Sequence, residues 1–86
     1  MKYNLYYHPN CLKRLKKIPA SDREKVLLKI KQLAKDPFSG NLDIKKLATT
    51  KNSFRLRVGD MRVIYELETK KKIIWVWEID YRGKVY

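Results

Sequence analysis

Three arginines carry the first sign of chemistry in this 86-residue chain. Arg55, Arg57 and Arg62 lie in the stretch 54–65, FRLRVGDMRVIY, which reads as two strands joined by a tight turn. Gly59-Asp60 places glycine where a two-residue type II′ hairpin requires it. That turn pairs Val58 with Met61, Arg57 with Arg62, Leu56 with Val63, Arg55 with Ile64 and Phe54 with Tyr65. Because side chains alternate across a strand, Phe54, Leu56, Val58, Met61, Val63 and Tyr65 share one apolar face. Arg55, Arg57 and Arg62 share the other. Like charges directly opposite one another disfavour a sheet by roughly 0.2–1 kcal/mol, so Arg57 facing Arg62 calls for a reason. The three cations are either scattered on a solvated face or form an anion site. Planar guanidiniums fixed on a rigid ribbon suit the second, since they hold phosphate oxygens in a set geometry.

The charge of the whole chain points the same way. Twenty-one Lys and Arg against nine Asp and Glu give +12, with a pI near 10. A polyanion is the partner this implies, nucleic acid before an acidic protein and either before an anionic membrane. The excess is uneven: residues 10–36 hold nine cations and three acids, residues 37–65 six and two, and residues 66–86 five and four. A single cysteine, Cys11, excludes an internal disulfide and a cysteine-based zinc site, and reads as a small core residue. His8 is the only histidine, which leaves little material for a Ser-His or Cys-His nucleophile; it reads as a rim residue. No apolar run approaches 18 residues and no signal-peptide core is present at the N-terminus, so a cytoplasmic protein without a membrane partner is expected.

Elements must then position the arginines. Lys2 to His8 alternates as a half-buried strand. Pro9 can open a helix in which Cys11, Leu12, Leu15 and Ile18 face one side, and Pro19 ends it. Ser21 and Glu24 form a capping box before a second helix running to about Lys35, with Val26, Leu27, Ile30, Leu33 and Ala34 as its apolar stripe. Pro37 and Gly40 mark a loop, Leu42 to Leu47 a weak strand, and residues 48–52 a turn into the hairpin. The hairpin's second strand extends to about Glu68, and 69–72 is a solvated lysine turn. Ile73 to Asp80 is apolar on both faces through Trp77, which predicts a central strand covered on both sides. Glu78 and Asp80 fall where they can orient the guanidiniums. The expected fold is α+β, one domain over residues 1–86. An N-terminal strand and a two-helix hairpin pack on one face of a twisted, mainly antiparallel sheet.

These residues resemble the RelE/ParE toxin superfamily. The resemblance is carried by Arg-x-Arg-Val-Gly-Asp-x-Arg-Val-Ile-Tyr at 55–65, Lys-Lys-Leu at 45–47 and Arg-x-x-Val-Tyr at 82–86. It implies a type II toxin, a ribosome-dependent endoribonuclease that cleaves messenger RNA in the A site through 2′-hydroxyl attack, with no metal or other cofactor. An acidic, helical, RelB-like antitoxin and the ribosome with its mRNA are the implied partners. The implied catalytic residues are Arg57, Arg62, Arg82 and Tyr86, with Arg55, Lys51, Tyr81 and Lys84 as RNA contacts. Arginine is effectively always protonated, so Arg55, which stands where the RelE branch has a lysine, cannot act as general base. Tyr86 is the leading candidate, with Tyr81, Asp80 and Glu78 behind it, and its phenol needs the arginine field to lower a pKa near 10. Two other functions fit the same residues: a non-enzymatic, ParE-like gyrase inhibitor and a non-catalytic nucleic-acid-binding module.

Overall fold

The computed structural model describes residues 2–48 and 50–80, with Tyr81 described through its backbone. Seven elements follow one another: β1 (Asn4–Tyr7), α1 (Pro9–Lys17), α2 (Ala20–Lys35), β2 (Asp43–Lys46), β3 (Ser53–Val58), β4 (Met61–Glu68) and β5 (Ile73–Tyr81). The strands form one sheet in the order β1-β5-β4-β3-β2. β1 runs parallel to β5, and every other pairing is antiparallel. This is the α+β arrangement the sequence implies.

Both helices cover one face of the sheet, α1 lying on β5 and α2 on β3. The core between the layers joins Cys11, Leu15 and Ile18 to Val26, Ile30 and Leu33, and both sets to the inward residues of β3, β4 and β5. Each large apolar side chain buried there is worth roughly 1.5–3 kcal/mol. Leu12, expected on the apolar side of α1, is half exposed instead, because a helix this short presents only a narrow stripe to β5.

The link between the helices departs from the capping-box expectation. α2 starts at Ala20 with Pro19 as its N-cap and no side-chain cap, so Ser21 lies inside the helix. Arg23 fastens the corner from the other direction. Its Nε donates to the Leu15 carbonyl at 2.8 Å and a terminal nitrogen donates to the Ile18 carbonyl at 2.9 Å. Both carbonyls belong to the end of α1, where Leu15 otherwise accepts only a long 3.4 Å bond from the Ile18 N–H. With only Ile18 and Pro19 between the helices, a side chain from the second turn of α2 can reach them.

The hairpin matches the sequence reading pair for pair, from Val58 opposite Met61 to Phe54 opposite Tyr65. Gly59 has φ +59°, while Asp60 is not among the residues of positive φ, the combination a type II′ turn needs.

β5 differs from expectation. It lies between β1 and β4, but only Ile74, Val76 and Ile79 face the helices. A bulge sits between the pairs Tyr65–Val76 and Ile64–Glu78, leaving Trp77 as an extra residue without a partner on β4. One extra residue reverses the side-chain parity of everything after it. Ile79 therefore turns into the core, and Glu78 and Asp80 turn out. Trp75 and Trp77 lie on the face that no helix covers, with Trp77 45% exposed. The strand is interior to the sheet but covered on one side, and its second set of apolar residues is surface.

Candidate nucleic-acid interface

The helix-free face of the sheet carries the charged side chains in rows across the strands. In one row Asp43 on β2 pairs with Arg57 on β3, Arg57 with Arg62 on β4, and Arg62 with Asp80 on β5. The repulsion between the facing arginines is thus bracketed by a carboxylate across the sheet from each. Among the described residues Asp43 makes no ion pair with Arg57. The acids temper the positive field of the row.

A second row runs Lys45, Arg55, Ile64, Glu78. Arg55 is half-buried between Lys45 and Ile64, and its Nε is fully shielded from solvent with no acceptor. A buried donor without a partner is costly and rare; here it is aimed by a strand held on both sides, next to other cations. Arg57 is exposed and its Nε reaches the Gly59 carbonyl at 3.4 Å, a long contact that folds it toward its own turn. Arg62 is half-buried at the centre of its row. The arrangement can hold an anion with several oxygens, and its three arginines supply charge stabilisation without releasing a proton.

The structure thus brings Arg55, Arg57 and Arg62 together on one face, and adds Lys45, which the sequence reading had left out of the site. Its signal was the register of β2, a strand too short and polar to align with confidence from pattern alone. Lys51 is exposed in the turn before β3, beyond the end of the strand that carries Arg55. Tyr81 ends β5 opposite Met61. Arg82, Lys84 and Tyr86 lie outside the described residues.

His8 is half-buried at the start of α1, where its Nδ1 accepts the Asn10 N–H at 3.1 Å and so caps the helix. That bond leaves Nε2 as the nitrogen facing outward. Cys11 is buried, its thiol directed to the Val76 carbonyl at 3.4 Å. Burial pushes that thiol above its usual pKa, and the nearby Glu78 adds to the effect. The thiolate is the reactive form, so Cys11 is a packing residue, as its sequence setting indicated. Among the described residues no group of His, Cys, Asp and Glu is placed to hold a metal ion, and no helix is long and apolar enough to cross a membrane.

An uncovered sheet face set with arginines is thus backed by a two-helix hairpin in a small α+β domain. Comparison with known proteins makes the assignment specific. The model of the ParE toxin family of type II toxin–antitoxin systems matches residues 5–86, and the chain belongs to this family, within the RelE/ParE superfamily. The Methanocaldococcus jannaschii protein named RelE1 is 33% identical over 87 residues, spanning 100% of this chain and 97% of its own length. The chain is also similar to the archaeal RelE–RelB complex of Pyrococcus horikoshii, with a TM-score of 0.83 and 30% identity over 99% of this chain and 100% of that one. A RelB–RelE complex from Methanococcus jannaschii follows at a TM-score of 0.74 and 26% identity, covering 94% of each chain. The chain is a RelE-like toxin of a type II toxin–antitoxin system.

Proposed function

We propose that the chain is a ribosome-dependent endoribonuclease that cleaves messenger RNA in the A site without a metal ion. The observation that carries this is Arg55: a shielded, unpartnered guanidinium nitrogen beside Lys45 and on the face shared by Arg57 and Arg62. Such a set is suited to a phosphodiester whose charge rises during reaction. In the reaction the 2′-oxygen of a ribose attacks the adjacent phosphorus and the bond to the 5′-oxygen breaks. One proton leaves the 2′-hydroxyl and one arrives on the departing 5′-oxygen, giving a 2′,3′-cyclic phosphate and a 5′-hydroxyl. Arg57 and Arg62, with Arg55 as the docking contact, stabilise the extra negative charge of the pentacoordinate phosphorus, typically the largest single contribution to such catalysis. The proton transfers fall to groups other than these arginines, with Tyr86 as the base, and Arg82 is a further cation. Lys51, Tyr81 and Lys84 extend the RNA contacts. An acidic RelB-like antitoxin neutralises the toxin in the cytoplasm; the relatives from Pyrococcus horikoshii and Methanococcus jannaschii, solved with RelB, support that partner.

The test is induction of the chain in cells followed within minutes by mapping of RNA ends. Cuts inside translated codons, lost in Arg62→Ala and Tyr86→Phe variants that fold normally, are expected. Full toxicity in both variants would remove the site assignment. A second reading is favoured by the family match, whose description is ParE: inhibition of DNA gyrase without catalysis. It predicts a DNA-damage response and intact messages in the same experiment.

A further inference from the structure

The uncovered face has a second half that the arginines do not occupy. Across β1 and β5 run Tyr6, Trp75, Trp77 and His8, a continuous aromatic strip. The Tyr6 and Trp75 rings are 4.9 Å apart, Trp75 and Trp77 are stacked at 6.0 Å, and Trp77 and His8 are 5.8 Å apart. Tyr6 and Trp77 are each 45% exposed, and both tryptophans of the chain belong to the strip. These rings are held in place: the Trp77 indole N–H donates to Glu66 at 3.0 Å, and His8 is fixed by its role as helix cap. Trp75 and Trp77 share this face by strand alternation, and the bulge at Trp77 turns the next residue, Glu78, out beside it.

We propose that this strip is a stacking platform for an unpaired nucleobase next to the scissile phosphate, a reading that rests on the RNA cleavage proposed above. Aromatic side chains fixed on a rigid sheet stack bases with little regard to sequence. The strip joins the arginine half without a break, since Arg55, Ile64 and Glu78 follow one another across β3, β4 and β5. Glu78 adjoins Trp77 and lies two strand spacings, about 10 Å, from Arg55, a gap that a sugar and base bridge from their own phosphate. Charge divides the two halves by the part of a nucleotide each receives. Arg55, Arg57 and Arg62 suit the phosphate, whereas the strip has Glu66 and Glu78 at its border and is unsuited to one. Glu66 is engaged by the indole. Glu78 is exposed and acidic, able to accept from a base amino group as carboxylates do from cytosine.

The experiment is single-turnover cleavage on programmed ribosomes with the full chain. It compares an intact message with messages in which the base on one or other side of the cut is removed, leaving the sugar-phosphate. Loss of one of these bases should slow the wild-type protein about 5- to 100-fold, the range of a single stacked base. Trp77→Ala should slow the intact message by a similar factor and show no further penalty from the missing base. Trp77→Phe should recover most of the rate, and circular dichroism should show an unchanged fold in both. Equal abasic penalties in the wild-type and Trp77→Ala proteins would overturn the platform while leaving the nuclease in place. So would unimpaired cleavage by Trp77→Ala together with weakened antitoxin capture, which would give the strip to a protein partner. Absence of cleavage by the wild-type protein would instead remove the nuclease reading, and the platform with it.

Discussion

On the helix-covered face of the sheet, Leu56, Val63, Ile74 and Val76 are fully buried and packed against Val26, Ile30 and Leu33. On the opposite face the same strands carry Arg55, Arg62, Trp75 and Trp77, none of them fully buried, with no element of the described chain laid over them. One face is built from side chains that gain by leaving water. The other retains like charges across a ladder, a donor without an acceptor and exposed indoles, features that cost stability. A small domain has little stability to spare, typically about 5–15 kcal/mol, and the RNA-binding role proposed for this face accounts for concentrating such features there. The difference separates what folds this chain from what it does.

Substitutions on the two faces should therefore fail in different ways. The largest effect on folding is expected from Tyr65→Ala, which removes a ring that is 1% exposed and stacked against Phe54. It should cost about 3–5 kcal/mol in urea unfolding followed by circular dichroism. Arg62→Ala should change stability by less than about 1 kcal/mol, while lowering cleavage about 10²- to 10³-fold, as loss of one donor to a developing oxyanion does. Equal loss of stability in both variants would erase the contrast between the faces.

Arg23→Ala tests the corner between the helices. Leaving the Leu15 and Ile18 carbonyls without their charged donor should cost about 1–3 kcal/mol with no effect on RNA contacts, since Arg23 lies on the helical side. The smallest effect at neutral pH is expected from Tyr65→Phe, which keeps the ring and removes the ionisable group. Burial raises the Tyr65 phenol well above its ordinary pKa, and raises Tyr7 in the same direction with a further contribution from Cys11. A raised folded-state pKa gives stability that is complete below the unfolded value near 10 and is lost as pH climbs through the folded value. Stability should thus be flat through neutrality on account of these groups and fall above about pH 10. Tyr65→Phe should make that alkaline fall shallower, as read from urea midpoints across the pH range.

What the sequence disclosed follows the range of the interactions. The hairpin 54–65 was legible down to each cross-strand pair because Gly59-Asp60 sets its register locally. The helices were legible from their apolar spacing. Arg23 was not, because its partners belong to the preceding helix and a capping box was the nearer signal. The parallel pairing of β1 with β5 joins residues nearly 70 positions apart, and no local pattern encodes it. Trp77 shows the limit most clearly. Ile74, Val76 and Ile79 break the period of two, and that spacing was the trace of the bulge; taken as one unbroken strand, the same residues suggested burial on both faces. Of the site, the three arginines were visible from alternation alone. Lys45 and the aromatic strip became visible only when the outer strands were set beside the hairpin.

The central claim is that the uncovered face holds an RNA phosphate for cleavage, with Arg62 at its centre. The most direct measurement is the rate of single-turnover message cleavage on programmed ribosomes by wild-type and Arg62→Ala proteins of matched thermal stability. The account predicts cuts ending in 2′,3′-cyclic phosphate with the wild-type protein and a rate at least about 100-fold lower with the variant. Equal rates, or growth arrest by the wild-type protein with every message intact, would contradict it.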